Sequence, residues 1–119
     1  MKRILIVDDS PYMRAQIGDT LKEAGFEVVG EAENGEQAID RTFELNPDII
    51  TLDNILPDML GTDVLQLVKN NDKLIAKIVV ISGIGVEETI KEVLEMGADE
   101  YIVKPFTPSD LVESIKKLS

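Results

Sequence analysis

The sequence contains no cysteine and no histidine. Without cysteine, the chain can form neither disulfide bonds nor thiolate metal sites. Without histidine, it lacks the commonest general base and the commonest metal ligand. Any chemistry must therefore use carboxylates, hydroxyls, lysine or a bound hard cation.

Long apolar runs are also missing, and positive charge is scarce. No run is long enough to span a bilayer, and the four apolar residues between Arg3 and Asp8 are too short for a signal peptide. We therefore expect a soluble cytoplasmic protein. The formal net charge of −11 predicts a surface that repels nucleic acid and anionic lipid, so we expect no nucleic-acid or membrane partner.

Short β-branched apolar runs alternate with segments of helical spacing along the 119 residues. Runs that are apolar on both faces are typical of strands in a parallel sheet. They cover residues 4–7, 49–52, 78–81 and 101–103, and a weaker run covers residues 26–32. The helical stripes predicted to be buried are Met13, Ile17 and Leu21; Ala38, Ile39 and Phe43; Val64, Leu67 and Val68; Ile90, Val93 and Leu94; and Leu111, Ile115 and Leu118. This alternation predicts an α/β fold of five βα units, with a doubly wound parallel sheet and helices on both faces.

Charged and hydroxyl side chains follow the predicted strands at their carboxyl ends. The residues are Asp8 and Asp9 after the first strand, Asp53 after the third, Ser82 after the fourth and Lys104 after the fifth. In open parallel sheets, ligands bind beyond these ends, near the switch in strand order. We therefore expect three carboxylates, one hydroxyl and one ammonium to converge there.

Three carboxylates placed so closely repel one another. Two like charges ~5 Å apart repel by roughly 3 kcal/mol at an effective dielectric near 20. Either some pKa values rise or a cation binds. Oxygen ligands favour Mg²⁺ over zinc or copper, and Mg²⁺ keeps positions open for phosphate oxygens. Because lysine and serine supply the charge and hydrogen bonds that a phosphoryl group needs, we interpret the set as a phosphoryl-transfer site.

The combination resembles the receiver domains of response regulators, close to the CheY-like chemotaxis proteins. The resemblance covers essentially the whole chain. It rests on Asp8-Asp9, on residues 53–61 (DNILPDMLG), on Ser82-Gly83 and on residues 101–106 (YIVKPF). It implies a flavodoxin-like (βα)5 sheet with strand order 2-1-3-4-5. It also implies a single receiver domain over residues 1–119, with no output domain.

The resemblance implies a role for each residue at the strand ends. Asp53 would accept phosphate from a phosphohistidine on a sensor histidine kinase. Mg²⁺ would be held by Asp9, Asp53 and the backbone carbonyl of Ile55, with Asp8 acting mainly through a metal-bound water. The residues expected to stabilise the phosphoryl group or to switch are Ser82, Tyr101, Lys104 and Pro105, whose bond to Lys104 is expected to be cis. Such a receiver catalyses only its own phosphorylation and dephosphorylation and is not otherwise an enzyme.

The resemblance also implies how the signal leaves the domain. Tyr101 would move inward as Ser82 moves, which would reshape the face made by the fourth helix, fifth strand and fifth helix. We expect a monomer that acts on a motor switch or adaptor protein. The fourth helix carries four acids and one lysine that we expect to face solvent, so its partner should carry a basic patch. These residues are Glu87, Glu88, Lys91, Glu92 and Glu95.

Other interpretations remain at this stage. A phosphorelay intermediate would pass its phosphate to a histidine phosphotransfer protein, and a binding test against motor components would separate the two functions. A flavodoxin-like electron carrier would have the same fold, but the loop of residues 8–11, which begins with Asp8 and Asp9, would repel a flavin phosphate. A haloacid-dehalogenase-like phosphatase would place its nucleophile after the first strand and would need a substrate cap.

Overall fold

The computed structural model describes residues 2–119, in which five strands and five helices alternate. The strands are β1 (Arg3–Val7), β2 (Glu27–Ala32), β3 (Ile49–Asp53), β4 (Lys77–Ser82) and β5 (Glu100–Val103). The helices are α1 (Pro11–Glu23), α2 (Gly35–Leu45), α3 (Gly61–Lys69), α4 (Glu87–Glu95) and α5 (Pro108–Lys117). Within this range no helix combines the length and the apolar character needed to cross a membrane.

All five strands are parallel, and their order is β2-β1-β3-β4-β5. The predicted α/β fold and strand order are therefore confirmed. The chain runs from β1 outward to β2 and then returns past β1 to β3. The carboxyl ends of β1 and β3 consequently flank the switch in strand order, which is where a ligand is expected.

Two apolar layers cover the two faces of the sheet because successive strand residues point in opposite directions. Ile4 and Ile6 belong to the layer that includes residues of α1 and α5. Leu5 and Val7 belong to the layer that includes residues of α2, α3 and α4. Because the interior strands β1, β3 and β4 are buried on both faces, their sequences form continuous apolar runs.

Three residues of the predicted buried stripes are instead exposed. The exposed fractions of Phe43, Leu67 and Leu94 are 51%, 40% and 41%. In α2, Thr42 takes the buried position, and its hydroxyl donates a 2.6 Å hydrogen bond to the carbonyl of Ala38. In α3, Leu65 is buried in place of Leu67, whereas Val64 and Val68 are buried as predicted, so the buried face is rotated toward Leu65.

Candidate functional site

The turn after β1 holds the first two carboxylates. Asp8 is buried with 1% exposure, whereas Asp9 is exposed. The Asp8 carboxylate accepts a 2.9 Å hydrogen bond from the backbone amide of Ser10, the N-cap of α1. From the second turn of α1, Arg14 donates a 2.7 Å hydrogen bond to the carbonyl of Asp8 and also pairs with Glu31 at 3.0 Å. The position of this turn is thus fixed from both α1 and β2.

Asp53 ends β3 and lies beside this turn. Its exposure is 9%, and oxygens of the Asp8, Asp9 and Asp53 carboxylates lie within 4.8 Å of one another. The Lys104 ammonium lies 3.3 Å from Oδ2 of Asp8 and 3.6 Å from Oδ1 of Asp53. The topology therefore brings together the three carboxylates and the lysine that follow strands β1, β3 and β5.

The charges in this cluster do not balance. Three carboxylates face one ammonium, which leaves two excess negative charges when all four groups are ionised. Burial raises the pKa of Asp53 above its ordinary value, and the Asp8 carboxylate raises it further. The Lys104 ammonium and the Ile55 amide oppose this rise in the pKa. The excess charge and the oxygen donors fit a divalent hard cation such as Mg²⁺.

The ends of β4 and β5 supply the hydroxyl groups. Ser82 is buried, and its Oγ accepts a 3.1 Å hydrogen bond from the amide of Ile84. The Tyr101 hydroxyl donates a 2.7 Å hydrogen bond to the carbonyl of the same Ile84, and its side chain packs against the buried layer. The Lys104 amide donates to the Ser82 carbonyl at 2.8 Å, and the Lys104–Pro105 peptide bond is cis.

The segment between β3 and α3, residues 54–60, completes the rim of the site, and we call it the β3–α3 loop. Its ends meet through a 2.6 Å hydrogen bond from the amide of Gly61 to the carbonyl of Asn54. A Cβ on Gly61 would lie 2.4 Å from the Asp53 carbonyl oxygen, so only glycine allows this approach. Ile55 of this loop is 59% exposed, and Ile84, which follows β4, is 36% exposed.

Two residues that support this site were missed by the sequence analysis. Arg14 holds the backbone of Asp8, as described above. Asp58 of the β3–α3 loop accepts hydrogen bonds from the amides of Gly35 and Glu36 at the start of α2. The Asp58 contacts join segments more than 20 residues apart, so no local pattern points to them. Arg14 lies only six residues from Asp8, but its contact depends on how the turn after β1 folds back on α1.

Comparison with known proteins identifies the family. Residues 4–116 match the family model of the response regulator receiver domain. The chain belongs to the response regulator receiver family. It is 44% identical over 118 residues to the chemotaxis protein CheY of Thermotoga maritima, and the match covers 99% of this chain and 98% of that protein. It is 43% identical over 115 residues to CheY of Bacillus subtilis, with coverage of 97% and 95%.

A solved receiver structure agrees with this assignment. The CheX–CheY–BeF₃–Mg²⁺ complex from Borrelia burgdorferi contains a chain that matches with a TM-score of 0.92 and 32% identity. The match covers 98% of this receiver and 88% of that chain. These similarities favour a CheY-like receiver of a two-component system over the electron-carrier and phosphatase interpretations. They also do not favour the phosphorelay alternative.

Proposed function

We propose that this receiver accepts a phosphoryl group on Asp53 from the phosphohistidine of a sensor histidine kinase, in a Mg²⁺-dependent reaction. The observation that carries the proposal is the close approach of Asp8, Asp9, Asp53 and Lys104 at the switch in strand order. In the reaction, an oxygen of Asp53 forms a bond to phosphorus while the bond from phosphorus to the kinase imidazole breaks. The released imidazole nitrogen takes up a proton.

Each residue of the site has a part in this proposal. Asp9, Asp53 and the Ile55 carbonyl would hold Mg²⁺ directly, and Asp8 would act through a metal-bound water. When bound, Mg²⁺ neutralises charge on the phosphoryl oxygens. The Lys104 ammonium, already close to Asp53, would pair with a phosphoryl oxygen. The Ser82 hydroxyl, at the end of β4, would turn from the Ile84 amide and donate a hydrogen bond to a second phosphoryl oxygen.

The acceptor can be tested directly with acetyl phosphate or a histidine kinase as the phosphate donor. Replacing Asp53 by asparagine should abolish the uptake of acid-labile phosphate, because the amide cannot form the acyl phosphate. Asp72→Asn provides a matched control, since Asp72 is an exposed acid in the loop before β4. Normal labelling of the Asp53→Asn variant at another aspartate would overturn the assignment.

For the output, we propose a chemotaxis partner with a basic patch, either a motor switch or an adaptor protein. The similarity to CheY proteins supports the chemotaxis class. One exposed stripe of α4 is formed by Glu87, Ile90, Lys91, Leu94 and Glu95. A surface that combines apolar side chains with acids suits a partner that combines apolar and basic side chains. Binding to motor components rather than to histidine phosphotransfer proteins would separate this function from a phosphorelay.

A further inference from the structure

The start of α2 receives a side chain from outside the helix. The first amides of a helix have no partner within it. The N-cap Asn34 accepts a 2.8 Å hydrogen bond from the amide of Gln37. The two amides between Asn34 and Gln37 donate to Asp58 of the β3–α3 loop. The Gly35 amide donates a 2.7 Å hydrogen bond to Oδ1 of Asp58, and the Glu36 amide donates a 3.0 Å hydrogen bond to Oδ2. One carboxylate therefore ties this loop to α2 through both of its oxygens.

Packing beside this contact reinforces the attachment. A Cβ on Gly35 would lie 2.3 Å from Cγ of Met59, so the close approach of the loop to α2 requires glycine at this position. Met59 also packs against the buried layer, and its carbonyl accepts a 3.1 Å hydrogen bond from the amide of Leu56. The loop is thus fixed at Met59 and Asp58 as well as at its two ends.

The charge of Asp58 agrees with this arrangement. The Asp58 side chain is exposed, yet the hydrogen bonds from Gly35 and Glu36 lower its pKa below the ordinary value. A helix N-terminus favours negative charge, because its free amides carry partial positive charge. The carboxylate form is therefore the one that holds the loop on α2 at neutral pH.

We propose that Asp58 is a positioning residue for the metal site. By docking the β3–α3 loop on α2, it holds the Ile55 carbonyl in the place that the Mg²⁺ site needs. Mg²⁺ demands near-ideal octahedral geometry at short distances, so a carbonyl on a loosened loop is a poorer ligand. This inference rests on the proposed function, because the Mg²⁺ site is part of that proposal.

The test measures Mg²⁺ affinity by isothermal titration calorimetry, with Mg²⁺ alone as the probe. Replacing Asp58 by alanine should raise the dissociation constant by about tenfold or more, the effect typical of losing a residue that orients a metal ligand. Asp58→Asn keeps one acceptor and should give an intermediate loss. Gly35→Ala should weaken binding from the opposite side of the contact, because the added methyl group displaces Met59.

A control on the same helix separates positioning from helix stability. Asn34→Ala removes the cap of α2 without touching the loop. It should lower the melting temperature of the metal-free protein while leaving the Mg²⁺ dissociation constant unchanged. An unchanged dissociation constant in a folded Asp58→Ala variant would overturn the inference. So would an affinity loss in Asn34→Ala as large as that in Asp58→Ala, since Asp58 would then act only as a cap.

The outcome for the wild-type protein distinguishes the two proposals. If the wild type binds Mg²⁺ and Asp58→Ala binds it equally well, only the positioning role is wrong. If the wild type binds no Mg²⁺, the proposed metal site itself is wrong, and the positioning role falls with it. Weakened binding in Asp58→Ala and Gly35→Ala, with normal binding in Asn34→Ala, supports both.

Discussion

The Tyr101 hydroxyl donates a 2.7 Å hydrogen bond to the backbone carbonyl of Ile84. The amide of Ile84 in turn donates to the Ser82 hydroxyl oxygen at 3.1 Å. One residue of the loop between β4 and α4 (residues 83–86) is therefore held by Ser82 on the side of the site and by Tyr101 on the side of the proposed output face. A Ser82 hydroxyl that turned to a phosphoryl group would release the Ile84 amide and disturb the contact with Tyr101.

This connection predicts the effect of removing the Tyr101 hydroxyl. A hydrogen bond contributes about 0.5–1.5 kcal/mol net, so in Tyr101→Phe amide exchange in residues 83–86 should rise roughly two- to tenfold. Phosphate uptake at Asp53 should persist, because the ring lies outside the carboxylate cluster. Hydrogen exchange followed by mass spectrometry provides the measurement. Tyr12→Phe is the control, since Tyr12 is 70% exposed, and equal exchange in both variants would contradict the connection.

The raised pKa of Asp53 predicts a pH-dependent gain in stability when its charge is removed. Because the folded-state pKa lies above the ordinary value of 3.8, ionisation of Asp53 destabilises the metal-free fold. This cost is absent below the unfolded-state pKa and develops as the pH rises through the folded-state pKa. Without Mg²⁺, Asp53→Asn should therefore raise the free energy of unfolding at pH 7, because asparagine carries no charge to desolvate.

Urea unfolding at several pH values can check this prediction. The difference between Asp53→Asn and the wild type should shrink as the pH falls and should vanish below the ordinary aspartate pKa. Asp72→Asn, which changes the net charge equally, should show no comparable gain. A variant that is less stable than the wild type at pH 7 would mean that Lys104 outweighs burial and the neighbouring carboxylates.

The predicted and observed structures agree where the physical signal is local. The interior strands β1, β3 and β4 are buried on both faces and therefore carry clear apolar runs, and their alternation with helices implied a parallel sheet. The edge strands β2 and β5 are partly exposed. The rule that parallel strands end at one edge then predicted the meeting of Asp8, Asp9 and Asp53. Asp58 and Gly35 lie 23 residues apart, so their contact depends on how two loops fold together and has no local signature.

Helix faces were predicted less well because neighbouring positions differ by only a small rotation. Phe43 is more apolar than Thr42, which favoured burying Phe43. Thr42 is nevertheless buried because its hydroxyl bonds to the Ala38 carbonyl one turn earlier. Local hydrogen bonding of this kind lets a polar residue occupy an apolar face. Apolar spacing alone could not distinguish the two positions.

Metal binding should stabilise the folded protein. A ligand that binds only the native state adds about 2.7 kcal/mol at a hundredfold excess over its dissociation constant. Thermal melts with and without millimolar Mg²⁺ should therefore show a clear rise in the melting temperature. Asp9→Ala should remove this rise, because it deletes a proposed direct ligand, whereas Asp72→Ala should retain it. No shift in the wild type, or an equal shift in Asp9→Ala, would count against the site.

The exposed side chains of Ile55 and Ile84 predict slow loss of phosphate from Asp53. They lie two residues beyond Asp53 and Ser82, and neither side chain can hydrogen-bond an attacking water. Polar residues at both positions should shorten the lifetime of the acyl phosphate, measured by the decay of label after the donor is removed. The matched control introduces the same polar residues at Phe43 and Ile75, two apolar residues that are exposed elsewhere on the surface. Unchanged or slower decay in the Ile55 and Ile84 double variant would contradict this role.

The exposed face of α4 is predicted to dock onto a basic partner. Glu88, Glu92 and Glu95 are exposed on this helix, whereas Val93 points into the buried layer beneath it. Reversing the three glutamates to lysine should abolish binding to the native target, because like charges then meet across the interface. For the wild type, the association rate should fall as salt is added, since screening weakens attraction between exposed charges.

The control makes the same change in net charge with three exposed acids on α1 and α2: Glu23, Asp40 and Glu44. This control should bind nearly as well as the wild type, and phosphate uptake should persist in both triple variants. If the α4 variant binds with unchanged affinity and salt dependence, the signal leaves the receiver by another surface.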